Sequence, residues 1–168
     1  MSYHPFGKDV SKVAGQQKTE NRTIAANRKA RHDYFVIEAM EAGIELVGTE
    51  VKSLRMGQVN LKDSWVEIED GELILHGMHV SPYEKGNIFN CDPMRPRRLL
   101  MHRVQIRKLA QQIKLQGYTL IPLALYFKGS RVKVDLGLCK GKKNYDKRAS
   151  IAERDAKRDI DRAMKAKY

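Results

Sequence analysis

Cysteine is scarce: Cys91 and Cys139 are the two in 168 residues. That is too few for a disulfide framework or a metal quartet, and a reducing, cytoplasmic setting is expected. No apolar run approaches the roughly 18 residues that a bilayer crossing needs. The opening stretch MSYHPFGKDVSKVAGQQKTE holds no apolar block of the kind a secretory signal carries. Catalytic signatures are missing too. There is no G-x-S-x-G, no phosphate-cradling glycine loop and no Cys–His constellation. His76 and His79 are three apart, and such positions point to opposite faces of a strand, which discourages chelation. The chain therefore does not read as an enzyme, and no metal or cofactor is expected. Acid is also in deficit. The 20 Asp+Glu stand against 32 Lys+Arg, a net charge of +12. Such an excess favours a polyanionic partner, nucleic acid before membrane.

What the chain does contain is one modest core, with 42% apolar residues, enough for one domain with tails. The charge is unevenly distributed. Residues 35–72 carry 3 bases and 9 acids, net −6, whereas residues 140–168 carry 11 and 5, net +6. Phosphate is expected to avoid the first segment and seek the second.

Residues 1–26 show weak periodicity and read as a disordered extension. HDYFVIE and GIELVG read as two strands separated at Gly43, being rich in aromatic and β-branched residues. TEVKSLR reads as a short helix capped by Thr49 and ending near Gly57. SWVEIEDGELILHGMHV is a hairpin, because Asp70-Gly71 supplies the positive φ angles of a tight turn. Residues 81–98, with three prolines, form a loop. HRVQIRKLAQQIKLQG places Ile106, Leu109, Ala110 and Ile113 on one face and stops at Gly117, an amphipathic helix. YTLIPLALYF and RVKVDLGL are two further strands. Pro122 removes a ladder donor, so its strand lies at an edge or is bulged there. Six short strands with few helices do not build a parallel sheet. The expectation is a mostly β protein with some α: a small antiparallel six-stranded barrel of the oligonucleotide-binding (OB) type, with inserted helices. It would span residues 27–140, with residues 141–168 as a basic C-terminal tail.

In that tail, Ser150-Ile151-Ala152-Glu153 has the form of a capping box and places a helix start at Ser150. Acids and bases alternate at four-residue spacing through Glu153, Lys157, Asp161 and Lys165. The apolar stripe, Ala152, Ala156, Ile160, Ala163 and Met164, is thin. A helix of about 15 residues with so little to bury is marginal alone in water, so the tail is expected either to become helical against a partner or to lie as a solvated helix on the barrel. Ahead of it lies GKKNYDKR. Gly141 lets the chain turn away from the strand, the cations can meet phosphates, and Tyr145 has the flat ring that base stacking requires. A second basic cluster, Asn27, Arg28, Lys29, Arg31 and His32, precedes the first expected strand.

NRKARHDYF, EAGIELVGTEVKSLRMG, NLKDSWVEIEDGEL, CDPMRPRRLL, GYTLIPLALYFK and LCKGKKNYDKR, in order over about residues 24–165, resemble the SmpB (SsrA-binding) family of bacterial trans-translation. The resemblance implies an OB-type barrel that binds the tRNA-like domain of tmRNA and escorts it to a stalled 70S ribosome. Elongation factor Tu and alanyl-tRNA synthetase would be reached through that RNA, with the protein a monomer in the complex. By position, the implied RNA-binding residues are Glu41, Leu100, His102 and Lys133, with Asn27, Lys29, Arg31 and His32 nearby. A carboxylate such as Glu41 can accept from base amino groups or a 2′-hydroxyl. The implied decoding-centre and mRNA-channel residues are Gly141, Lys142, Lys143, Tyr145, Asp146, Lys147 and Arg148, with Ile160 and Met164 on the tail. His102 stands where other members can carry Asn, and Tyr145 where some carry His. Against this non-catalytic adaptor stand two alternatives, an RNA-modifying enzyme and a structural ribosomal protein.

Overall fold

A computed structural model describes residues 21–86, 88 and 90–166, the backbone alone at 144 and 145. The expectation of a disordered extension falls mostly on residues 1–20, outside the described residues. Its last part is a strand, β1 (Arg22–Ala26), paired antiparallel with β8 (Thr119–Lys128). A helix, α1 (Arg28–Asp33), follows where only a basic lead-in was expected.

Next comes β2 (Tyr34–Ile44). It is one eleven-residue strand rather than two, because Gly43 pairs with both Lys133 and Leu100 and so continues the ladder. Helix α2 (Gly48–Arg55) begins after Val47, two residues earlier than a Thr49 cap would place it. The short β3 (Val59–Asn60) pairs with β6 (His79–Val80). The hairpin of β4 (Trp65–Glu69) and β5 (Glu72–His76) turns at Asp70 and Gly71, whose φ angles are 49° and 78°. Two positive φ angles in succession match the twist of the flanking strands. After the loop come β7 (Arg97–Leu100), α3 (Arg103–Gln116), the long β8, β9 (Arg131–Gly141) and α4 (Asn144–Ala166).

The pairings β8–β4–β5–β7–β2–β9, with β9 returning to β8, close a ring of six antiparallel strands, and β1 is added outside β8. Six is the expected number, reached differently: two expected strands merge into β2, and β7 forms at the end of the expected loop. Pro122 sits at a register shift between β8 and β9, so the bulge reading holds and the edge reading does not.

Strand alternation aims Leu73, Leu75, Leu99, Leu125, Val134, Leu136 and Leu138 inward, all at most 2% exposed, and α3 adds Ile106 and Leu109 to the same core. Fully burying a leucine contributes on the order of 1.5–3 kcal/mol, so this ring is the main source of stability. A smaller cluster lies under α1, where Ala30 covers Ile121, Leu123 and Cys139. Burial pushes the Cys139 thiol up to about 11, which keeps it protonated and unreactive. Cys139 and Cys91 are both free thiols.

Gly77 shows how tightly the hairpin end is packed. Its φ is 76°, and a Cβ there would lie 2.9 Å from the Asp63 carbonyl oxygen and 3.2 Å from the Trp65 ring. Gly77→Ala is expected to cost about 1–3 kcal/mol, measurable as a lowered midpoint in chemical denaturation.

One charged group is wholly internal. Arg97 is 1% exposed and Glu50 is 5% exposed. Glu50 accepts from Arg97 Nε at 2.9 Å, from Arg95 Nε at 2.9 Å and Nη2 at 2.6 Å, and from the Val47 N–H at 2.9 Å. Arg97 also donates to the carbonyls of Met78 (2.7 Å), Arg95 (3.1 Å) and Pro93 (3.1 Å). This cluster ties α2 to the loop before β7. Burial alone would raise the Glu50 carboxyl. The hydrogen bonds from Arg95 and Val47 and the charge of Arg97 outweigh it and hold the carboxyl below its ordinary value.

Candidate nucleic-acid interface

Because Val134, Leu136 and Leu138 point into the ring, Lys133 and Asp135, which alternate with them, face out. Register then decides their neighbours. Glu41 lies opposite Asp135 and Gly43 opposite Lys133 across the β2–β9 ladder, while Tyr126 lies opposite Lys133 across β8–β9. Three strands thus bring together one carboxylate, one phenol and two ammonium groups. The Tyr126 hydroxyl donates to Glu41 Oε2 at 2.5 Å. Lys128 Nζ donates to Oε2 at 3.1 Å and Oε1 at 3.3 Å, and Lys133 Nζ lies 3.7 Å from Oε1. The Tyr126 hydrogen bond is the first cause that holds the Glu41 carboxyl below its usual range. Desolvation opposes it, and both lysines add to the lowering. Burial and the adjacent carboxylate push the Tyr126 phenol upward, so it stays a donor.

Leu100 and His102 come to the same place from β7 and the start of α3. Leu100 is 49% exposed. It can lie against β2 because Gly43 has no side chain; a Cβ there would sit 3.1 Å from Leu100 Cβ. His102 occupies the N-cap of α3, makes no capping bond with its ring and is exposed. Glu41, Leu100, His102 and Lys133 therefore line one cleft of about 490 Å³, with Gln105 from α3 beside them. The four residues singled out in the sequence are brought together.

The basic cluster ahead of β2 is more mixed. Asn27 is buried. Its amide nitrogen donates to the Leu61 and Pro122 carbonyls at 3.2 and 3.1 Å, and its oxygen accepts the Ala30 N–H at 3.1 Å. It caps α1, is buried, and has each of these groups bonded within the chain, whereas an exposed place was expected of it. Lys29 is exposed and paired with Asp63 at 2.5 Å. Arg31 is exposed. His32 Nδ1 lies 2.7 Å from Asp33 Oδ1.

Asp33 is where the tail is rooted. Its carbonyl accepts the Lys142 N–H at 2.9 Å, and its carboxylate lies 3.6 Å from Lys147 Nζ. The His32 hydrogen bond, ahead of the Lys147 charge, holds the Asp33 carboxyl below its usual range. Lys142 Nζ donates to Ser150 Oγ at 3.1 Å and the Arg31 carbonyl at 3.4 Å, and stands 4.8 Å over the Phe35 ring. The Lys143 N–H donates to Asp146 Oδ2 at 3.2 Å.

The helix therefore starts at Asn144, six residues before the expected capping box. Asp146, not Glu153, makes the reciprocal N-terminal bond, and Ser150 is interior. Lys142, Asp146 and Lys147 fix the direction of α4. Lys143 and Arg148 are exposed, whereas the Tyr145 ring lies outside the described side chains. From Ile151 to Ala166 every residue of α4 is exposed, with Ile160 at 56% and Met164 at 62%. Its ion pairs are Asp155–Arg158 and Asp159–Arg162, at three-residue rather than four-residue spacing. The tail is helical in this structure of the single chain. What it lacks is a surface to cover its apolar stripe.

The two groups occupy opposite ends of one ladder. Phe35, beside the tail root, and Glu41, in the cleft, are six residues apart along β2, roughly 20 Å at strand spacing. Elsewhere, His76 and His79 do not converge. His76 stacks on Trp65 at 5.3 Å and meets Glu69 at 3.3 Å and Glu67 at 3.9 Å. These three ligand-type groups lie within 4.8 Å of one another, and both glutamates are exposed. No helix among the described residues is long and apolar enough to cross a membrane.

The family model described as SmpB protein matches residues 24–166. The chain belongs to the SmpB family. The SsrA-binding protein of Clostridium tetani is 66% identical over 145 residues, covering 86% of this chain and 93% of the relative. That of Clostridium beijerinckii is 62% identical over 151 residues, covering 90% and 97%. A solved structure described as "tmRNA-SmpB: a journey to the center of the bacterial ribosome" superposes with a TM-score of 0.60 at 50% identity, covering 71% of this chain and 85% of that one. In this SmpB chain, sequence reasoning missed Tyr126, Lys128 and Asp33. The first two share Glu41 only through the register of three strands, which periodicity does not reveal. Asp33 is legible in the sequence as the one acid inside a basic run.

Proposed function

We propose that this chain is a non-catalytic RNA-binding adaptor. It binds the tRNA-like domain of tmRNA and carries that RNA to stalled ribosomes for trans-translation in the cytoplasm. Residues 27–140 form the RNA-holding body and residues 141–168 the tail that probes the decoding centre and the empty mRNA channel. One observation carries this reading: a cleft of RNA-type ligands and an uncovered basic helix sit at opposite ends of the β2–β9 ladder, so both can be engaged at once. In the cleft, Lys133 meets phosphate, and His102 and Leu100 meet sugar or base edges. Lys143, Tyr145 and Arg148 face ribosomal RNA, and Ile160 and Met164 bury the apolar stripe in the channel. Elongation factor Tu and alanyl-tRNA synthetase act on the same RNA, and the protein works as a monomer.

Affinity purification at moderate salt followed by RNA sequencing tests this. Enrichment of one structured RNA with the tRNA-like fold supports it; bulk ribosomal RNA alone would point to a structural ribosomal protein. Lys133→Ala is expected to weaken binding of that RNA by about 1–3 kcal/mol, the range for a charge-assisted contact. Unchanged affinity at matched salt would remove Lys133 from the site.

A further inference from the structure

We infer that Lys128 is a further phosphate ligand of the cleft, and that Glu41, held by Tyr126, is the positioning group that sets Lys128 and Lys133 side by side. This rests on the RNA-binding reading of the cleft. A carboxylate has two oxygens and about four acceptor sites. Here Oε2 accepts from both the Tyr126 hydroxyl and Lys128, and Oε1 faces Lys128 and Lys133. Three hydrogen bonds take most of these sites, and the oxygen with room left, Oε1, is already flanked by both ammonium groups. Each ammonium, by contrast, has three N–H donors and keeps some of them free for an incoming oxygen. Lys128 is 47% exposed and Lys133 25%.

The charge of the face agrees. Tyr126, Lys128, Arg131 and Lys133 share one face of the β8–β9 hairpin, since Lys128 lies opposite Arg131 and Tyr126 opposite Lys133. Against these three cations stand Glu41 and its opposite neighbour Asp135. The surplus is a single positive charge, placed where two ammonium groups lie 3.3 and 3.7 Å from the same Glu41 oxygen, Oε1. That suits the oxygens of a phosphodiester and makes a poor site for a neutral base edge. Tyr126 touches no ligand in this scheme. Its hydroxyl fixes the rotamer of Glu41, which in turn aims the lysines.

The full-length protein would be titrated with the tRNA-like domain of tmRNA across a salt series. Lys128→Met should weaken binding at least fivefold and flatten the salt dependence by about 0.7–0.9 in log–log slope, the loss of one phosphate contact. Glu41→Gln combined with Lys128→Met should be no worse than the stronger single variant, because Glu41 acts through the lysine. Tyr126→Phe keeps the ring and should weaken binding several-fold at an unchanged melting temperature, with no added effect in a Glu41→Gln background. Unchanged affinity and slope for Lys128→Met would overturn the inference. So would multiplying losses for Glu41→Gln and Lys128→Met, which would mean that Glu41 meets RNA on its own. Loss with Lys133→Ala but not with Lys128→Met defeats the inference alone; a wild-type protein that does not select this RNA defeats the function itself.

Discussion

Glu50→Ala is expected to lower stability by about 3–5 kcal/mol, the cost of leaving partnered charge buried without its counter-ion. The reason is local. Arg97 is inside the protein and Arg95 leans on the same carboxylate. Removing Glu50 leaves two guanidinium groups facing each other, and the Val47 N–H loses its acceptor. Three backbone carbonyls still bind Arg97, but none carries a full negative charge. For a domain whose whole stability is on the order of 5–15 kcal/mol, such a loss is visible as a large drop in urea midpoint. Glu50→Gln preserves shape and should still lose most of it; a glutamine variant as stable as the wild type would show the charge to be dispensable.

The same group sets an acid limit. Its folded pKa lies below the unfolded value, so its stabilisation is complete above roughly pH 4.3 and is lost as the pH falls through the folded value. Glu41 and Asp33 are lowered in the same sense. The wild type should therefore lose stability steeply below about pH 4, and the Glu50→Gln variant less steeply.

Much of the fold is written in local pattern. Asp70-Gly71, the face of α3 ending at Gly117 and the Pro122 bulge all follow from backbone chemistry within a few residues. What sequence reading misses is decided at long range. The strand RTIAA is weakly patterned, and it forms because β8 offers it a partner. Gly43 looks like a break and is instead a ladder position kept small for Leu100. Ser150 and Glu153 have the spacing of a helix start, yet Lys142, Lys147 and Asp33 pin the chain six residues earlier, so the helix has already begun. In the cleft, Glu41 and Lys133 are found through family resemblance, whereas Tyr126 and Lys128 appear only once β8, β9 and β2 are in register. Asn27 shows the converse. Its residue type fits an RNA contact, and its position in space makes it a cap.

Deleting residues 149–168 is expected to abolish tagging of nascent peptides while leaving affinity for the tRNA-like RNA within about twofold, as for groups that share no partners. No described side chain of α4 belongs to either core cluster, and from Ile151 to Ala166 all are exposed, so among the described residues the truncation removes no packing from the ring. The root survives: Lys147 still reaches Asp33, and Lys142 keeps the Arg31 carbonyl and the Phe35 face. The cleft lies roughly 20 Å away along β2, beyond a Debye length at physiological salt, so losing tail charge should barely alter it. Binding titrations and a tagging assay on stalled ribosomes separate the two ends. If RNA affinity fell along with tagging, the cleft and the tail would be one site and the division of labour along the β2–β9 ladder would be wrong. Met164→Ala isolates the apolar part of the same effect: it leaves the charge of α4 intact, so reduced tagging there would assign the channel contact to the stripe rather than to the cations.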